Sequence, residues 1–203
     1  MPKLFVVSDV HSFYTPLKKA LDEKGFDPNN KDHWLIVCGD AFDRGDESEK
    51  VLHLLMSLER KVLVKGNHDI LFHGLCKRRF PYSNDYSNGT TKTVFDLGEG
   101  IDGTPFDVCC DVAWNKTARY RELLVNYFET QNYIFVHSWI PCKAKGNGYS
   151  WNPVYEKVYD WYNKQTDEKI LSGFVWKGMK VWLSAENQFN YKAAFDLAMQ
   201  TAG

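Results

Sequence analysis

The strongest constraint on this chain is a pattern that occurs three times. An apolar run long enough for one buried strand ends in a cluster of Asp, Asn, His and Gly, and a segment with helical spacing follows. The runs are KLFVVSD (3–9), HWLIVCGD (33–40) and KVLVKGNHD (61–69). Their partners are YTPLKKALDEKGF (14–26), DESEKVLHLLMSLE (46–59) and DILFHGLCKRR (69–79). Short apolar runs alternating with amphipathic segments predict right-handed βαβ units and a largely parallel sheet, an α/β fold. In the first helix Thr15 is read as the N-cap, Pro16 as the first helical position and Gly25 as the stop. From Phe80 to about Gly103 the sequence reads as a loop-rich excursion with a short helix near Thr91–Leu97. NKTARYRELLVNYFET (115–130) reads as one amphipathic helix, and NYIFVHS (132–138) as a fourth strand.

Placing the polar residues on this framework makes them converge. The first strand ends in Asp9 and His11, and the second in Asp40, Asp43 and Arg44. The third ends in Asn67, His68 and Asp69, and the fourth in His137. The carboxyl ends of strands in an open α/β sheet meet at one crevice, where ligands bind. Carboxylate oxygen and imidazole nitrogen together suit borderline divalent ions such as Mn²⁺, Fe²⁺ or Zn²⁺. One carboxylate, Asp40, can bridge two ions. Two such ions clamp a phosphate and bring a bound water to a pKa of about 7. Arg44 has the planar fork that matches phosphate oxygens. His68 is placed to protonate a leaving alkoxide, with Asp43 to orient it.

Composition excludes several alternatives. The formal net charge is -1, with no basic patch that would suit nucleic acid. No apolar stretch spans a bilayer or has the form of a signal peptide. The 203 residues, 44% of them hydrophobic, suggest a single domain with a sizeable core. Five scattered cysteines without a C-x-x-C pair read as reduced thiols in a cytoplasmic protein, with Cys109–Cys110 in an irregular segment.

The motifs D-V-H, G-D-A-F-D-R-G and G-N-H-D, followed by a strand-borne His, resemble the calcineurin-like metallophosphoesterases. The arginine in the second motif resembles the serine/threonine protein phosphatase branch, its bacterial and phage-type members in particular. The resemblance implies two facing mixed sheets flanked by helices, as a single domain over 1–203 with an insertion at about 72–130. It implies two divalent ions, Mn²⁺ first and Fe²⁺ or Zn²⁺ as alternatives. Asp9, His11 and Asp40 would hold one ion, and Asp40, Asn67 and His137 the other. His68 would be the general acid, Asp43 its partner, and Arg44 and Asn67 the substrate contacts. The implied reaction is phosphomonoester hydrolysis by attack of a metal-held hydroxide. A phosphoprotein is the first substrate class and a dinucleoside polyphosphate the alternative. A phosphatase-like protein with impaired catalysis, binding metal or partners, is a further reading.

Two departures shape the expectations. No histidine follows His137 and no arginine follows Arg121. The family pattern has a later G-H and a further His, so this reading expects missing C-terminal strands, a weak second metal position and a sheet edge open to self-association. Lys143 or Lys145 would stand in for the second phosphate-binding arginine.

The remaining candidates have plain structural readings. His33 reads as a surface residue, His53 as a partly buried one, and His73 as structural. Lys77, Arg78 and Arg79 read as complements to a helix C-terminus. Asp69 is balanced between capping its helix and orienting His68, and Tyr86–Thr93 between a substrate loop and a turn. Trp139, Trp151, Trp161, Trp176 and Trp182 read mainly as core, with Trp139 as the best groove candidate.

Overall fold

The computed structural model describes residues 2–100 and 103–137, and the backbone of two strands, Cys142–Lys145 and Val154–Lys157. The chain divides into two units, Met1–Val125 and Asn126–Gly203, which are taken in turn.

The first unit is built on a parallel sheet. Its strands are β1 (Lys3–Val7), β2 (His33–Cys38), β3 (Lys61–Val64) and β4 (Leu124–Val125), in the order β1-β2-β3-β4. Register runs from Lys3 opposite His33 to Val7 opposite Val37, and from Leu35 opposite Lys61 to Cys38 opposite Val64. β2 lies between two neighbours and is covered on both faces: Leu35 and Ile36 are fully buried. That is why its sequence is a continuous apolar run rather than an alternating one. Helix α1 (Tyr14–Glu23) follows β1 and buries Leu17 and Leu21; α2 (Ser48–Ser57) follows β2 and buries Val51, Leu52 and Leu55. Helix α3 (Asn67–Arg78) follows β3 and buries Phe72, Leu75 and Cys76. The strand–helix alternation of the α/β expectation is present three times over.

Four details differ from the sequence reading. Thr15 is not the cap of α1. Phe13 holds that position without a side-chain hydrogen bond, and Glu47, from the loop after β2, accepts the Thr15 N–H at 2.8 Å and its hydroxyl at 2.7 Å. A remote carboxylate does the work of a local cap. Second, the stretch after Phe80 holds a helix, α4 (Ser83–Ser87), in addition to the expected short helix, α5 (Thr90–Leu97). Its Asn, Ser and Thr residues bond helix ends and the neighbouring loop, a role composition does not reveal.

Third, residues 115–130 are not one helix. The segment holds the end of α6 (Phe106–Lys116), then α7 (Ala118–Leu123), and then Leu124–Val125, which pair in parallel with Leu63 and Val64 as the fourth strand of the sheet. Apolar residues at 120, 123, 124 and 125 suit a helix face and a buried strand equally. Cys109 and Cys110 are correspondingly helical, on α6, and buried. Fourth, Ile134–Phe135 (β6) does not join the parallel sheet; it pairs antiparallel with β5 (Phe128–Glu129) in the second unit.

In that second unit Phe128 and Phe135 stack at 6.0 Å, and Cys142–Lys145 (β7) pairs antiparallel with Val154–Lys157 (β8). Trp139, Trp151, Trp161, Trp176 and Trp182 lie outside the described residues. The side chains of Cys38, Cys76, Cys109 and Cys110 are buried. Among the described residues no helix is long and apolar enough to cross a membrane.

Candidate metal and phosphate site

Three loops at the carboxyl ends of β1, β2 and β3 form the site. The first two are joined by backbone hydrogen bonds: His11 N–H to Asp40 C=O and Ser12 N–H to Ala41 C=O, both 2.9 Å, and Gly45 N–H to His11 C=O at 2.9 Å. Asp9, His11, Ser12, Asp40, Asp43 and Arg44 all have positive φ, between 48° and 76°. Each such conformation costs a non-glycine residue on the order of 1–3 kcal/mol, and clusters of this kind occur where surrounding contacts hold a functional geometry. The third loop comes close enough to require glycine. A Cβ on Gly66 would lie 2.0 Å from Asp40 Oδ1 and 2.4 Å from the Asp40 amide nitrogen.

His11 is 4% exposed and donates Nδ1–H to the Phe42 carbonyl at 3.0 Å. This leaves Nε2 as the bare nitrogen. It is buried and has no hydrogen-bond partner, an arrangement that is costly unless something else binds there. Burial, reinforced by the charges of Arg44 and His68, holds the imidazole below its ordinary pKa, so it is neutral and its lone pair is available. Nε2 faces Asp9 Oδ1 at 3.8 Å and Asp40 Oδ2 at 3.9 Å. Those separations are too long for hydrogen bonds. They are close to the roughly 3.0–3.5 Å that separates two donors about 2.1 Å from one ion. His11, Asp40 and His68 offer donor atoms within 4.8 Å of one another. An orphaned imidazole nitrogen, a backbone-fixed tautomer and adjacent carboxylates fit a divalent ion, with Phe42 C=O as the outer hydrogen bond usual behind a ligating His.

His68 occupies the first turn of α3. Its N–H donates to Asp40 Oδ1 at 3.0 Å, and its Nδ1–H to Asp43 Oδ2 at 2.7 Å. Nε2 faces the site, accepts a long hydrogen bond from an Arg44 guanidinium N–H at 3.5 Å, and lies 3.9 Å from Asp40 Oδ2. Arg44 is exposed, as a group that meets incoming phosphate must be. Asn67, buried, starts α3 beside them.

Asp69 resolves to a structural role. One oxygen accepts Gly66 N–H at 2.7 Å and the other Tyr120 O–H at 2.8 Å; burial pushes its carboxyl up to about 6. The stretch read as a substrate loop or a turn makes a turn at Asn88–Gly89 between α4 and α5, and Thr90 and Thr93 of α5 donate to the Asp43 carboxylate at 2.7 Å each. No sequence signal pointed to these two threonines, which lie about fifty residues from their partner.

His53, His33, His73, Arg78 and Arg79 have other roles. His53 is exposed rather than partly buried. His33 accepts Asp27 N–H at 3.0 Å, and His73 stacks on Trp114 at 5.0 Å. Arg78 pairs with Asp85 at 2.5 Å and Arg79 pairs with Asp111, both near the C-terminus of α3. His137 follows β6 in the second unit.

A family profile described as calcineurin-like phosphoesterase matches residues 2–191. The chain belongs to that family. Among curated relatives of this calcineurin-like phosphoesterase, the symmetrical bis(5'-nucleosyl)-tetraphosphatase of Buchnera aphidicola subsp. Schizaphis graminum (strain Sg) is 35% identical over 68 residues, covering 33% of this chain and 24% of the relative. The enzyme of the same name from Aeromonas salmonicida (strain A449) is 43% identical over 65 residues, covering 32% and 23%. The matched segment thus spans about a quarter of those relatives. A crystal structure of a metallophosphoesterase from Sphaerobacter thermophilus aligns with a TM-score of 0.40 at 20% identity, over 67% of this chain and 46% of that one. Membership of that family implies divalent metal ions, for which the His and Asp donors above are candidate ligands.

Proposed function

We propose that this phosphoesterase holds divalent ions, Mn²⁺ first among them, through Asp9, His11 and Asp40, and that its substrate is a dinucleoside polyphosphate. The observation that carries the metal part is the buried, unpartnered Nε2 of His11 between two carboxylates. The names of the curated relatives support the substrate class over the phosphoprotein first suggested by the sequence. Asn67 and His137 remain the sequence's candidates for a second ion.

Bound ions would neutralise phosphate charge and acidify water. The chain's own residues supply the rest. Arg44, exposed at the rim, bonds a non-bridging phosphate oxygen with its planar fork. Asn67 offers its amide beside it. His68, with Nδ1–H fixed on Asp43, presents Nε2–H and passes that proton to the leaving oxygen; Asp43 stabilises the imidazolium before the transfer. In a tetraphosphate, water adds to one inner phosphorus, the central bridging P–O bond breaks, and the products are two nucleoside diphosphates.

The test combines calorimetry and a substrate panel. Mn²⁺ titrated into the protein should bind, and Asp40→Asn should weaken that binding by about tenfold or more, as loss of a charged ligand does. Diadenosine tetraphosphate, a phosphoserine peptide and p-nitrophenyl phosphate are then compared by kcat/KM with Mn²⁺ present. ADP as the single nucleotide product of the first, at the highest kcat/KM, supports the reading. Preference for the phosphopeptide overturns the substrate class, and unchanged Mn²⁺ affinity in Asp40→Asn overturns the metal site.

A further inference from the structure

The Asp43 side chain accepts three hydrogen bonds. It is fully buried. Its Oδ1 accepts the Thr93 hydroxyl, and its Oδ2 accepts both the Thr90 hydroxyl and His68 Nδ1–H, each at 2.7 Å. Thr93 Oγ1 in turn accepts the Asp43 N–H at 3.0 Å, so one threonine grips both the backbone and the side chain of this residue. Thr90 and Thr93 are themselves fully buried. They lie one turn apart at the start of α5, on the same face of the helix.

The rest of that helix start is fitted to the same segment. Gly89, at φ +77°, lets the backbone press on Arg44: a Cβ there would lie 2.4 Å from the Arg44 amide nitrogen. Lys92 reaches back to the Arg44 carbonyl at 3.4 Å and to Asp46 at 2.8 Å. The held residues, Asp43 and Arg44, have φ of 76° and 66°, a conformation that side chains avoid unless neighbours impose it. A buried carboxylate with three short donors cannot rotate without breaking those hydrogen bonds. Without the hydroxyls, one oxygen would have no partner and the other only His68, and the carboxylate would turn toward other donors such as Arg44.

We infer that Thr90 and Thr93 are positioning residues for the reaction: they aim the Asp43 carboxylate at His68 Nδ1, and so set the direction in which His68 Nε2 faces the leaving oxygen. This rests on His68 acting as the acid, as proposed above.

Two readouts test it. In the metal-free protein, the His68 Nδ1–H proton, with Nδ1 2.7 Å from Asp43 Oδ2, should give a low-field, slowly exchanging NMR signal. The Thr90→Val/Thr93→Val protein should lose it, and Thr90→Ser/Thr93→Ser should keep it. With Mn²⁺ present, the valine protein should lose about tenfold or more in kcat on phenyl phosphate, whose leaving group needs a proton. It should stay within about threefold on p-nitrophenyl phosphate, and the serine protein should match the parent on both. Thr90→Val alone, which leaves the Thr93 grip in place, covers the case in which the double variant does not fold. A retained NMR signal in the valine proteins, or equal losses on the two substrates, overturns the assignment. His68→Ala is the separate control: if it too loses equally on both substrates, the acid role has failed, whereas a leaving-group effect in His68→Ala that the valine proteins lack refutes the threonines alone.

Discussion

Gly66→Ala tests whether the third loop must touch Asp40. The added Cβ would meet Asp40 Oδ1 at 2.0 Å, Cγ at 2.9 Å and the backbone nitrogen at 2.4 Å. Comfortable separation is about 3.5 Å, so the carboxylate must retreat by roughly 1.5 Å. The backbone nitrogen cannot follow by side-chain rotation, because Asp40 is tied to His11 through its carbonyl. Retreat breaks the 3.0 Å bond from His68 N–H to Asp40 Oδ1. Loss of a buried hydrogen bond to a charged group costs about 1.5–3 kcal/mol, and overpacking a further 1–3 kcal/mol. The total of about 2.5–6 kcal/mol should lower the melting temperature by about 5–24 °C. Calorimetry on the folded variant at low temperature should show Mn²⁺ affinity down about tenfold or more, since Asp40 Oδ2 lies 3.9 Å from Nε2 of both His11 and His68. A variant that melts within about 2 °C of the parent and binds Mn²⁺ equally would refute the close-approach argument.

Three further outcomes follow from separate parts of the fold. Hydrogen bonds from Thr15 N–H and hydroxyl, with Lys50, hold the Glu47 carboxylate down at about 2. A depressed carboxylate contributes stability that is present above the unfolded value, near 4.5, and is lost as pH falls toward 2; urea midpoints measured between these limits should fall more steeply for the parent than for Glu47→Gln. Tyr120→Phe leaves Asp69 Oδ1 without its 2.8 Å donor and should cost about 1–3 kcal/mol in chemical denaturation, with Mn²⁺ affinity preserved. Leu55→Ala, at a fully buried site on α2, should cost about 2–5 kcal/mol in the same assay, with no change in the ratio of rates on phenyl and p-nitrophenyl phosphate.

The local sequence alone determined the three βα units and the polar residues at their carboxyl ends. Strand, turn and helix signals are short-range, and Asp9, His11, Asp40, Asp43, Arg44, Asn67 and His68 each lie within a few residues of the strand that carries them. The tertiary structure decided everything that depends on contacts between distant residues. The cap of α1 comes from Glu47 rather than Thr15. The fourth parallel strand is Leu124–Val125, because β3 offers its edge there and periodicity cannot tell a helix face from a short buried strand. Ile134–Phe135 pairs with Phe128–Glu129 for the same reason: its partner, not its composition, selects its sheet. The polar run 83–93 becomes two helices whose threonines close around Asp43. A hydroxyl satisfied by a turn and one satisfied by a buried carboxylate about fifty residues away are the same letter, and only the folded chain brings donor and acceptor together.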